Sequence, residues 1–232
     1  MKPRNWHNLA YRLDTTLRIF PLQPGLLKNN LKIVFEYKTC TYENCTKSAW
    51  AESVFCREHH PSALDYEREI RRELTIGNKQ LENRDFSDLD FSGIVLDDYD
   101  FHYCRFTRVR FSGSSLKNTR FLMCLLDNID AAECVFTGSR MMSVLAAGSD
   151  FSSCDFTGSD LINVNFNGIQ AFNAVFDESD LFYSRFINAQ ADGASFQDCN
   201  LKRVDFTGVN LNGVNFTDSN PEESYITREE EN

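Results

Sequence analysis

No apolar run in the chain reaches the roughly 18 residues that a membrane-spanning helix needs. Near the N-terminus, Arg12, Asp14 and Arg18 interrupt the apolar residues, which removes the uninterrupted core of a signal peptide. A cytoplasmic protein is therefore the expectation, with no membrane partner. Histidine is scarce: the chain has four, His7, His59, His60 and His102. There is no phosphate-binding glycine loop and no nucleophile motif. Acidic runs occur at "DDYD" (97–100) and "DESD" (177–180). They read as solvated carboxylates rather than as a metal site. An enzyme is not expected.

Basic charge is also short where it would matter for nucleic acid. Residues 1–83 carry 13 Lys/Arg and 10 Asp/Glu, residues 84–220 carry 10 and 19, and the tail from Pro221 carries one Arg and five Glu. The acidic middle argues against direct nucleic-acid binding. The tail, "PEESYITREEEN", has no packing pattern, and disorder is expected over 221–232.

What is present is a period. From Phe86 to Phe216 every fifth residue is apolar: 27 consecutive positions, of which 15 are Phe, seven Leu, four Ala and one Met. A helix repeats every 3.6 residues and a strand every two, so neither explains it. Let each such position be the centre of a unit. Two residues before it lies a second patterned site, mostly small or apolar, as at Val109, Cys134 and Val164. The residue just before the centre is often Asp, Asn or Arg. Two residues after the centre, nine of the chain's 11 glycines collect. The reading is a short extended side and a corner, repeated, with two of five side chains inward. One coil cannot bury its inward residues; stacked coils can, joined by backbone hydrogen bonds at ~4.8 Å.

This pattern resembles the pentapeptide-repeat family, whose motif is A(D/N)Lxx with Phe or Leu at the centre. "CDFTG" at 154–158 and "VDFTG" at 204–208 carry the resemblance most closely. It implies an all-β solenoid, a right-handed four-sided β-helix with 20 residues per coil, so that 27 units make nearly seven coils. At ~4.8 Å per coil the rod is ~32 Å long. The resemblance also implies a function for some members: mimicry of duplex DNA and protection of type II topoisomerases from quinolones. The acidic rod fits that idea, while the polar tail does not supply the apolar C-terminal element through which such proteins dimerise.

The eight cysteines divide into two groups. Cys104, Cys124, Cys134, Cys154 and Cys199 occupy the inward site two before the centre, where they read as small core residues. Cys104 and Cys124 stack on adjacent coils, as do Cys134 and Cys154, but reduced thiols are expected in the cytosol. The other three belong to "CTYENCTKSAWAESVFCREHH", with the spacing Cys40-x4-Cys45-x10-Cys56-x2-His59. Two short-spaced pairs joined by a loop supply the four N/S ligands of structural Zn2+. His60 is the alternative fourth ligand, and three free thiols beside a chance histidine the alternative to a site.

Around this cluster the expected organisation is a small α+β N-terminal module over 1–61, a capping helix and linker over 62–83, the β-helix over 84–220 and the tail. Residues 5–20 place Trp6, Leu9, Leu13, Leu17 and Phe20 on one helical face, and "LKIVFEY" at 31–37 reads as a strand. Ser62 and Asp65 form a capping-box-like start to a charged helix through Leu74, with Glu67 and Arg71 as an i,i+4 pair. The helix and the zinc module are candidates to cap the solenoid's exposed end.

A 20-residue coil also sorts the surface. Just after the centres of the fourth side run His102, Leu122, Met142, Ile162, Phe182 and Lys202. Four of these are large and apolar, where Ser or Thr is usual. Beside them lie Tyr103, Met123 and Tyr183. Such a stripe marks an interface with a protein partner or a second copy, unless the N-terminal module covers it. The function expected is a non-catalytic binding scaffold.

Overall fold

In the computed structural model, residues 38–47, 49–50 and 53–226 are described. The chain divides into two compact units, Met1–Glu36 and Tyr37–Asn232, and every described residue lies in the second. The helix expected over 5–20 and the strand expected over 31–37 fall outside the described residues.

The five-residue period builds a parallel β-solenoid. Strands β1 (Gln80–Glu82), β2 (Asp100–His102), β3 (Arg120–Leu122), β4 (Arg140–Met142) and β5 (Asp160–Ile162) form one parallel sheet in sequence order. Each pairs with the next at a register of 20 residues: Leu81 with Phe101, Phe101 with Phe121, Phe121 with Met141, Met141 with Leu161. Single parallel bridges carry the same register on the other sides, as at Asp85–Arg105, Asp90–Arg110 and Val95–Ser115, and onward to Asp205–Tyr225. Pairing thus starts at Gln80, four residues before the expected boundary, because Leu81 is one more centre in phase.

Each unit satisfies its own backbone. The centre's N–H reaches the next coil, as in Phe156 N to Val175 O (2.7 Å), and its carbonyl accepts from three residues on, as in Ser159 N to Phe156 O (3.1 Å). Asp or Asn before the centre bonds the N–H after it: Asp155 Oδ1 takes Thr157 N (2.9 Å) and Asn165 Oδ1 takes Asn167 N (3.0 Å). This is the physical reason for Asp and Asn at that phase. The corner residue adopts a left-handed conformation whether or not it is glycine, with φ +66° at Gly93 and +64° at Asp88.

The centres from Phe86 to Phe206 are buried, and from Leu89 onward so is the site two before each. That second site is not only apolar. Ser114, Thr119, Ser149, Ser159, Ser179 and Ser184 share it, and each hydroxyl donates to the carbonyl of a centre one coil back, as in Ser159 Oγ to Phe136 O (2.9 Å). The cysteine thiols do the same: Cys134 Sγ to Phe111 O (2.9 Å) and Cys154 Sγ to Ala131 O (2.9 Å). All eight cysteines are free. In this phase Ser, Thr and Cys are equivalent, as small donors whose own buried polar atom finds a partner.

Helix α1 (Ala63–Ile76) closes the first coil. Ile70 and Leu74 join the same buried core as Phe86 and Phe91, together with Trp50. The polar side of the contact is specific. On the second side of the first coil, three backbone groups at Asp90 and Ser92 face the place where a preceding coil would be. Arg71 Nη1 donates to Asp90 O (2.7 Å), Arg71 Nη2 to Ser92 O (3.1 Å), and Asp90 N donates to Glu67 Oε1. Glu67 and Arg71 therefore stand in for the missing coil instead of serving as the expected surface pair. Each such group left unsatisfied would cost about 1–3 kcal/mol. The capping box also differs from expectation: Ser62 is the N-cap residue without a side-chain bond, and Asp65 pairs with Arg68 (2.8 Å).

At the other end the expected disorder from Pro221 is corrected. Pro221–Glu223 form a 3-10 turn, Tyr225 N donates to Val204 O (2.8 Å), and Phe206 N donates to Tyr225 O (2.8 Å). Ile226 falls 20 residues after Phe206 and so keeps the phase. Residues 227–232 lie outside the described residues.

Candidate functional site

Two features stand apart from the repeating frame: a Cys/His cluster before α1 and an apolar stripe on the sheet.

The cluster is built on two tight pieces of backbone. Ala49 N bonds Lys38 O (2.7 Å) and Cys40 N bonds Lys47 O (2.9 Å), which pairs the two flanks antiparallel. Between them the chain turns at Asn44 (φ 62°), with Cys45 N on Tyr42 O (3.0 Å). This brings Cys40 and Cys45 to one end of the hairpin. Cys56 and His59 come from the 3-10 turn Arg57–His59, closed by His59 N on Cys56 O (3.1 Å). Among the described residues one group of His, Cys, Asp and Glu side chains converges to metal-binding distance: Cys40, Cys45, Cys56 and His59, whose ligand atoms all lie within 4.8 Å of one another. Cys45 Sγ and Cys56 Sγ are 3.9 Å apart, and His59 Nδ1 is 3.4 Å from Cys56 Sγ and 3.6 Å from Cys40 Sγ. A tetrahedral zinc with Zn–S near 2.3 Å has ligand–ligand edges of about 3.8 Å, so the donor set fits that ion. Burial by itself raises the Cys40 thiol. The backbone N–H groups of Cys56 and Tyr42, with the His59 and Cys56 side chains, outweigh it and hold the pKa at about 6.

Between the two candidate histidines the geometry favours His59. Its ring stacks on Tyr42 with centroids 3.9 Å apart, and its Nδ1 faces the sulfurs. His60 is engaged elsewhere. It stacks on Tyr66 at 4.6 Å, and its Nδ1 accepts from Ser62 N (3.2 Å) at the start of α1.

The stripe lies on the one side of the solenoid with full three-residue strands. His102, Leu122, Met142 and Ile162 are register partners in β2 to β5, and Phe182 follows 20 residues on. All five are half-buried, as expected of side chains in contact along a surface column. At the adjoining corner Tyr103 is half-buried, Met123 is 45% exposed and Tyr183 is 53% exposed. These three corners are left-handed, with φ 56°, 51° and 63°. Gly, Asn or Asp adopts that conformation with less strain, but Arg108, Glu133 and Glu178 hold it as well, so the left-handed corner is not peculiar to the stripe. The sequence reading missed two members. Leu125 and Leu145 bridge each other around the corner, and Leu145 is 37% exposed. They occupy the outward phase where Asp, Asn or Arg is usual, and their 20-residue spacing was the available signal.

Comparison with known proteins places the fold. Residues 149–226 match the family model described as a pentapeptide repeat region. Over these residues the solenoid is a pentapeptide-repeat β-helix. Two trypsin-treated variants of QnrB1, a plasmid-mediated fluoroquinolone resistance protein, are similar in structure. One is 24% identical with a TM-score of 0.57 over 64% of this chain and 84% of that one. The other is 26% identical with a TM-score of 0.51 over 64% and 82%. No curated protein sequence matches the chain. None of the described helices is long and apolar enough to cross a membrane. The pentapeptide-repeat β-helix accounts for the inward phases, while the stripe and the Cys/His cluster are features of this chain beyond the repeat.

Proposed function

We propose that this chain is a non-catalytic, cytoplasmic scaffold that binds a protein partner through the apolar stripe, with a structural Zn2+ ion on Cys40, Cys45, Cys56 and His59. The observation that carries the reading is the stripe itself. Leu122, Met142, Ile162 and Phe182 stack on successive coils, at outward positions that the core does not need. Full burial of such a side chain contributes ~1.5–3 kcal/mol before association costs. The zinc reading rests on the donor set and its near-tetrahedral spacing. Four protein ligands leave no open coordination position, so the ion's role is to hold the module together.

A second reading is a protector of a type II topoisomerase. It is supported by the structural likeness to QnrB1, whose name describes fluoroquinolone resistance, and by the excess of acid over base in residues 84–220. That reading uses the acidic faces rather than the stripe. One variant separates the two. Ile162→Asp with Phe182→Asp should abolish partner binding or self-association by light scattering and leave the circular dichroism spectrum unchanged. Intact association in the folded double variant would remove the stripe from the account and favour the acidic faces.

A further inference from the structure

We propose that the stripe receives an acidic amphipathic helix from a partner protein. The inference rests on the reading of the stripe as a docking face and adds the chemistry of what docks.

Charge is the first observation. Between Phe111 and Ile226 the chain has 15 Asp/Glu and six Lys/Arg: Lys117, Arg120, Arg140, Arg185, Lys202 and Arg203. All but Lys117 border the stripe. Arg120 and Arg140 share strands β3 and β4 with Leu122 and Met142, two residues earlier on the same outward face. Arg185 follows Leu145 and Asn165 in the column around the corner. Lys202 and Arg203 continue the columns of Phe182 and Tyr183. These five cations are exposed. Arg120, Arg140 and Lys202 pair with Asp100 (2.6 Å), Asp160 (2.8 Å) and Glu223 (3.5 Å); the last two pairs are solvent-exposed and weak, and exchange for a better partner. Asp160, Asp180, Asp205, Glu222 and Glu223 fall in the same columns, so the border holds five cations to five acids, while the rest of this half of the rod holds one cation to ten acids. The border is therefore where this half of the rod offers cations to an acidic rim on a partner.

Spacing is the second. Successive stripe residues are one coil apart, ~4.8 Å, so Leu122 to Phe182 spans ~14 Å. A helix lying along the rod presents one apolar position per turn, and three turns rise ~16 Å. An extended strand repeats its face every ~6.7 Å, and three such steps cover ~20 Å. Four consecutive contacts fit the helix within ~2 Å and miss the strand by ~6 Å. A second copy of this chain offers, among the described residues, no helix that is acidic on one face and free.

The test is fluorescence anisotropy on the full chain with labelled model peptides of about 16 residues. One has Leu at i, i+4, i+7 and i+11 with Glu on the flanks; one has Lys in place of Glu; one has the Leu and Glu alternating as an extended segment. The Glu helix should bind at least about tenfold more tightly than the other two at low salt, and salt should weaken it. Arg140→Glu with Arg185→Glu should cut Glu-helix binding by a similar factor. Ile162→Asp with Phe182→Asp should abolish it. Equal binding of the Lys helix, no effect of charge reversal, stronger binding of the alternating peptide, or no binding at all would overturn the acidic-helix assignment. Loss of binding in the Asp double variant would still uphold the stripe in the first three cases. Sedimentation of the chain alone as a dimer that the Asp variant dissolves would make a second copy the occupant and also overturn the proposal.

Discussion

Phe156→Ala should lower the stability of the solenoid by about 3–5 kcal/mol. Phe156 is buried on the third side, in a column of parallel rings. Its centroid is 4.7 Å from Phe136 and 5.0 Å from Phe176, with interplanar angles of 7° and 2°. Phe151 packs edge-on at 5.5 Å and Phe166 at 6.3 Å. Removing the ring takes away contacts on four sides. The neighbours cannot close the gap, because each coil is held at its own height by backbone bonds such as Phe156 N to Val175 O. The cost is therefore lost transfer energy plus a retained cavity. Small centres are accommodated where the stack is built around them: Ala131, Ala171 and Ala191 on the second side and Ala146 on the first are all buried. Chemical denaturation followed by circular dichroism checks the prediction. An unchanged midpoint would mean that position 156 is not inward.

The second large effect belongs to the Cys/His cluster. Purified protein should carry about one zinc per chain by elemental analysis, as a closed four-ligand site requires. Structural zinc contributes about 10–16 kcal/mol of apparent binding energy in small modules, which is comparable to the stability of a whole domain. Cys56→Ser should therefore strip the metal and raise hydrogen exchange from Cys40 to His60, while exchange in the coils from Phe106 to Phe206 stays slow. The gradient follows from the contacts. Cys56 and His59 sit on the turn whose Arg57 reaches Glu67 (3.1 Å), and Glu67 in turn takes the Asp90 N–H. Beyond that coil the ladder bonds only to itself. Metal-free native protein with an ordered Cys40–His60 segment would contradict the assignment.

The five-residue period was legible because solenoid geometry is written locally: each unit repeats the same backbone, so one phase suffices to sort inward from outward. Cys40, Cys45, Cys56 and His59 were legible as a spacing, and the folded hairpin and 3-10 turn bring their donor atoms together. What the sequence could not show depends on contacts with no period. Glu67 and Arg71 look like an intrahelical pair until the open edge of the first coil lies beside them. Tyr225 and Ile226 look like tail residues because only the 20-residue register to Asp205 and Phe206 gives them a place. Ser and Thr at the inward site are hidden by polarity, since a buried hydroxyl is stable there only through a partner on a neighbouring coil. Leu125 and Leu145 lie outside the column of Leu122 and Met142, and only the turn of the coil brings them beside it.

Met141 and Met142 offer the most direct measurement. They are adjacent in sequence, but Met141 is a buried centre and Met142 is an outward member of the stripe. Brief oxidation of the native chain with dilute peroxide, followed by mass spectrometry of its peptides, reads their access to solvent separately. The account predicts sulfoxide at Met142 and Met123, none at Met141 until the chain unfolds, and protection of Met142 and Met123 when the stripe is bound. Oxidation of Met141 at the rate of Met142 would contradict the assigned register, and a Met142 as silent as Met141 in the free chain would contradict an open stripe.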